Sequence, residues 1–129
     1  VEVLQMKQLL MCLVLAGSLA GCAGTIPSTY DPNESQGIIN ILHTVEKLDC
    51  KDTEYAEYSS GEIKEMIDWM HTYSEMKGNE DILLSIHTIK VTASGLKKGM
   101  STGFCRIKKQ LLITQIESTA QAIMSRYGE

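Results

Sequence analysis

Apolar residues recur along this chain at the three- and four-residue spacing of a helix face, and they do so in four successive stretches. Ile38, Ile41, Leu42, Val45 and Leu48 form the first stripe and predict a helix from about Ser35 to Asp49. Gly37 weakens its opening turn. Ile63, Met66, Ile67, Met70, Tyr73 and Met76 form the second. Ser59 and Glu62, three residues apart, read as a capping box ahead of it, and Gly78 reads as its C-terminal stop. Residues 53–58 predict a short separate helical piece. The third stripe is Leu83, Ile86, Ile89, Ala93 and Leu96, introduced by Asn79 with Glu80 and Asp81 in the first turn, and closed by Lys97-Lys98-Gly99. The fourth is Phe104, Ile107, Leu111, Ile116, Ala120, Ile123 and Tyr127, opening at Ser101 or Thr102.

Four amphipathic helices joined by turns of about two to five residues predict an all-α fold, a small antiparallel four-helix bundle. Composition agrees: one Trp, one Phe and two Pro in 129 residues do not suit a β-sandwich, whose strands favour aromatic and β-branched residues.

A different pattern precedes the helices. Lys7 is followed by an apolar run, Leu9 to Ala16, which is too short for a permanent transmembrane helix of about 20 residues and fits a secretory signal. Val1 to Gln5 add nothing to that signal; Met6-Lys7 is the more natural start, and residues 1–5 read as an upstream extension. The run ends in Leu19-Ala20-Gly21-Cys22. These four residues resemble the lipobox of bacterial lipoproteins: Leu, a small residue, Gly or Ala, then Cys. The resemblance covers residues 6–22 and concerns processing, not the folded domain. It implies a diacylglyceryl group on the Cys22 thiol, cleavage between Gly21 and Cys22, and acylation of the new amino group, with palmitate among the fatty acids used. Cys22 lipid is then the only non-protein group expected, with no other cofactor and no metal. Ala23 stands where an Asp often retains such proteins at the inner membrane, which implies an outer-membrane address facing the periplasm.

The chain thus divides into a signal peptide (1–21), a lipidated tether (22–34) rich in small, polar and proline residues, and a helical domain (35–129). Cys12 leaves with the signal and Cys22 is lipidated, so Cys50 and Cys105 remain. In an oxidising compartment they predict a disulfide closing a loop of about 55 residues, contributing roughly 4 kcal/mol on a chain-entropy account. A redox pair or a soft metal site would favour Cys-x-x-Cys spacing, which is absent. Up-down topology supports the bridge independently, because the end of the first helix and the start of the fourth fall at the same end of a bundle.

Charge is unevenly spread. Asp31 to Asp81 hold 13 acidic and 4 basic residues, whereas Ile82 to Glu129 hold 7 basic and 2 acidic. One expectation is oppositely charged helices packing together. The other is a basic patch of Lys97, Lys98, Arg106, Lys108 and Lys109 facing an acidic partner or anionic lipid. The negative net charge of −4 and the extracytoplasmic address speak against nucleic acid. A protein partner at the envelope would be met by exposed aromatics, with Tyr55, Tyr58 and Trp69 the candidates. His43, His71 and His87 with Met66, Met70 and Met76 raise a soft-metal reading, but lack compact ligand spacing. Glu62, Glu65 and Asp68 raise the alternative of a cell-wall hydrolase, which would need one buried, proton-bearing carboxyl. No nucleophile elbow, zinc-protease motif or phosphate-binding loop is present. The expectation is a non-enzymatic, membrane-anchored binding module, acting as an inhibitor, an exclusion factor or a structural part of the envelope.

Overall fold

The computed structural model describes residues 30–126. The signal, Gly21, Cys22, the tether as far as residue 29, and Tyr127 lie outside them. The described residues form four helices: α1 (Pro32–Glu46), α2 (Thr53–Lys77), α3 (Glu80–Ala93) and α4 (Thr102–Met124). Consecutive helices pack against each other, and α1 packs against α4 to close the ring; the diagonal pairs do not approach. This is an antiparallel four-helix bundle with the Cys50–Cys105 disulfide, as expected.

Three of these helices, α1, α2 and α4, start where a side chain satisfies an orphan amide. Asp31 accepts a 2.9 Å hydrogen bond from the Asn33 amide, and Pro32 sits at the first helical position, where its fixed φ is already helical. That cap moves the start of α1 three residues ahead of Ser35 and draws Asp31 to Glu34 out of the supposed tether and into the domain. Asp52 caps α2 by accepting from the Tyr55 amide, and α2 runs unbroken from there. The Ser59–Glu62 capping box therefore does not operate. Ser59 and Ser60 are buried mid-helix, and the Ser60 hydroxyl donates to the Ala56 carbonyl instead. Gly78, at φ 72°, ends α2 as expected: its amide donates to the Glu75 carbonyl and the Asn79 amide to the Ser74 carbonyl. Ser101 caps α4 by accepting from the Phe104 amide.

The core is aliphatic and dominated by isoleucine; Ile38, Ile63, Ile86, Leu112 and Ile116 are wholly buried. The first stripe points inward as predicted. In the first half of α4 the true inward face is displaced from the predicted one. Cys105 and Leu112 are buried, whereas Phe104, Ile107 (68% exposed) and Leu111 face outward. The disulfide explains this, because Cys105 must face Cys50, at a Cα–Cα distance of 5.6 Å, and the rest of the turn follows. Met76, also assigned to a stripe, is 84% exposed; Ser74 takes the inward position near the end of α2.

The helices differ in length, 25 and 23 residues for α2 and α4 against 15 and 14 for α1 and α3. Where the short helices stop, their following loops take over as core. Leu48 and Leu96 are buried there beside the disulfide. Two lysines reach across to the carbonyls left open: Lys109 donates to the Glu46 and Leu48 oxygens at 2.8 Å each, and Lys64 to the Leu96 oxygen at 2.5 Å. The bundle thus has a disulfide pole, and an opposite pole at which the chain enters α1.

Candidate functional site

The entering pole is built from polar side chains that are far apart in sequence. Glu34 is fully buried, and its Oε1 accepts from the Asn79 side-chain amide and, at 3.5 Å, from the Ser74 hydroxyl. Its Oε2 lies 3.8 Å from Arg126 Nη1, and Arg126 also pairs with Asp81. Among the described residues neither Oε2 nor Nη1 has a hydrogen-bond partner, so their contact is an electrostatic one at 3.8 Å. Asn79 is consumed here rather than capping α3 with its side chain.

Next to it, Asp31 accepts a 2.8 Å hydrogen bond from the Tyr73 hydroxyl and pairs with Lys77 at 3.4 Å. Burial pushes the Asp31 carboxyl up, but the Asn33 amide, the Tyr73 hydroxyl and Lys77 outweigh it and hold the group below its ordinary 3.8. A carboxyl depressed in the fold contributes stability that is complete above its unfolded pKa and is lost as pH falls through the folded value. Asp31→Ala should cost about 1 kcal/mol at pH 7, as loss of an N-cap does. The difference from wild type should narrow below about pH 4. Denaturant midpoints across a pH series check this; a gap that stays constant down to pH 2 would contradict it.

Tyr73 links this pole to the surface. Its hydroxyl also accepts from Asn33 Nδ2 at 3.1 Å, and its ring stacks on Trp69 with centroids 5.2 Å apart and planes inclined by 13°. Trp69, 54% exposed, stands over a groove of about 520 Å³ between α1 and α2. Asn33, Gln36 and Asn40 line the α1 wall, and Glu65 and Met66 join Trp69 on the α2 side. Gly37 makes the approach possible. A Cβ there would come within 2.8 Å of Met70 Sδ and 3.3 Å of the Trp69 ring.

Of the residues predicted for a partner surface, only Trp69 lines this groove. Tyr55 and Tyr58 are exposed nearer the start of α2. The five cations Lys97, Lys98, Arg106, Lys108 and Lys109 are differently engaged. Lys109 is spent on carbonyls beside α1, Lys108 lies over the Phe104 ring at 5.5 Å, and Lys98 pairs with Glu57 at 3.5 Å. Lys97 borders a small cleft at the disulfide and Arg106 is exposed. Charge complementarity between the halves is carried by pairs such as Lys90–Asp68, 2.9 Å. Glu62 and Asp68, six residues apart, lie about 120° from each other around the helix axis, with Glu65 between them. Glu65 lines the groove, while Asp68 turns to α3. His71 and His87 come to a ring separation of 6.3 Å, whereas His43 pairs with Glu46 on α1. Among the described residues no group of three His, Cys, Asp or Glu side chains is placed to hold a metal.

Comparison with protein-family models, curated proteins and solved structures returns no match to this chain. The groove is therefore read from its own residues. Sequence periodicity missed it because Asn33 and Gln36 fall outside any apolar stripe, and it is the fold that brings them into one groove with Trp69.

Proposed function

We propose that the protein is a lipid-anchored binding module of a bacterial cell envelope, held at the membrane by acyl chains on Cys22 and acting by presenting its helical surface to an envelope partner, expected to be a protein. The observation that carries the reading is Leu19-Ala20-Gly21-Cys22, with Cys22 ten residues ahead of Pro32, where α1 of a disulfide-closed bundle begins. Each buried methylene of an acyl chain contributes roughly 0.8 kcal/mol, so two or three chains hold a domain at a bilayer without a spanning helix. No helix among the described residues is long and apolar enough to cross a membrane. Ten residues reach at most about 36 Å, which would keep the entering pole close to the headgroups and direct the disulfide pole away. The outer membrane, periplasmic face, is the proposed address.

Cys22→Ala tests the anchor. The substitution should abolish incorporation of labelled fatty acid and move the protein from the membrane to the soluble fraction. Persistent label would overturn the reading. Crosslinking of the full chain in cells, with the Cys22→Ala form as the proximity control, should recover one dominant envelope protein.

A further inference from the structure

We infer that the groove between α1 and α2 is a saccharide subsite, with Trp69 as its stacking platform and a neutral sugar carrying acetamido groups as its ligand. The inference rests on the envelope reading only for where such a glycan would be met; the chemistry comes from the groove.

The platform is preorganised. Tyr73 stacks on the indole, and the Tyr73 hydroxyl is itself fixed by hydrogen bonds with Asp31 and Asn33. Gly37 lets the ring lie close to the α1 backbone. Yet Trp69 remains 54% exposed, an arrangement that leaves a large rigid aromatic surface for a ligand. The face of an indole is negative, and the C–H groups on one side of a pyranose ring carry small positive charges, so the two attract beyond simple apolar contact.

The opposite wall suits the sugar's polar edge. Asn33, Gln36 and Asn40 recur at spacings of three and four on α1, which places their amides in a row along the groove. Gln36 donates to Asn40 at 2.9 Å. That bond uses one donor of the first and one lone pair of the second, and each amide keeps both donor and acceptor capacity. Paired donors and acceptors match an acetamido N–H and C=O, and Glu65 adds an acceptor for hydroxyls. Among the described residues no lysine or arginine lines the groove, which disfavours a phosphate or carboxylate ligand, and the amide wall disfavours an apolar helix. The volume of about 520 Å³ lies within the range of roughly 300–1,000 Å³ usual for small-ligand sites.

Trp69 is also the only tryptophan in the chain, so its fluorescence reports the groove directly. The experiment uses the full-length chain in detergent micelles, titrated with the tetrasaccharide of N-acetylglucosamine. Fluorescence and saturation-transfer NMR on the sugar protons are the readouts. A saturable change in both is expected for wild type. Trp69→Ala should weaken saturation transfer at least tenfold, Asn40→Ala several-fold, and Trp69→Phe less than Trp69→Ala. Tyr58→Ala, exposed on the same helix but outside the groove, should bind like wild type, and helical circular dichroism verifies the fold of every variant. Absence of saturable binding by wild type, or Trp69→Ala binding as wild type does, would overturn the inference. So would a photocrosslinker at position 40 that captures a protein through the groove while the sugar fails to compete. Fatty-acid labelling on the same preparation separates the two readings: labelled protein that ignores the sugar loses the subsite alone, and unlabelled protein that binds it loses the anchor alone.

Discussion

Replacing Cys50 and Cys105 together by serine should lower the thermal unfolding midpoint by about 15–30 °C. The disulfide spans 55 residues, and closing a loop of that length in the unfolded chain is worth roughly 4 kcal/mol. In a domain of this size each kcal/mol moves the midpoint by about 4–8 °C. Since domains of this kind have only about 5–15 kcal/mol in total, the loss is a large share of the whole. The reduced protein should also lose order first at the disulfide pole. There Leu48 and Leu96 are held by loops, and the Lys109 and Lys64 caps depend on those loops staying in place. Calorimetry with and without reductant measures the shift; a change below about 5 °C would mean that packing alone positions the loops.

Glu34→Ala is the second large effect, about 3–5 kcal/mol, because it removes the buried carboxylate from an ion pair and leaves the Arg126 guanidinium without its inner countercharge. Arg126 keeps Asp81, but Asp81 is on the exposed side, whereas Glu34 is the partner inside. The Asn79 and Ser74 donors lose their acceptor in the same step. Glu34→Gln retains an oxygen for Asn79 and should cost less. The double variant Glu34→Leu with Arg126→Met should recover part of the loss of either single change, since well-packed apolar residues often replace a buried pair at little net cost. Urea denaturation with unchanged m-values reads the three stabilities. A Glu34→Ala cost under 1 kcal/mol would show that water replaces the carboxylate and that the pole is not sealed.

The parts of the fold that periodicity reveals are those where one apolar face decides the packing alone. α1 is of that kind: Ile38, Ile41, Val45 and Leu48 all point where their spacing places them. α4 is not, because its opening turns offer two apolar faces, one through Phe104, Ile107 and Leu111 and one through Cys105 and Leu112. Only the covalent bond to Cys50 selects between them. At the start of α2, Ser59 and Glu62 have the residue types of a cap, yet Asp52 seven residues earlier is the cap that operates. The entering pole was the least legible part. Glu34 looks like tether and Arg126 like a terminal surface charge, and nothing local in either pattern says that 92 residues of chain bring them together. The groove was half legible: Trp69 stood out as a surface aromatic, but its amide wall depended on the α1–α2 approach at Gly37.

The disulfide also sorts the bundle topologically. Residues 51–104, and with them α2 and α3, lie inside a covalent ring, while α1 and α4 continue outward from its two ends. The shortest bonded route through the domain runs along α1, across the sulfurs and back along α4. A load applied between the two ends of the chain therefore passes through α1 and α4 and bypasses the other two helices. Such a load peels the outer pair from a remaining hairpin whose ends stay joined. Within the described domain, residues 30–49 and 106–126 on either side of the bridge extend to about 140 Å at most. A domain mounted by its entering pole could thus yield under tension while keeping half of its helices within a closed loop.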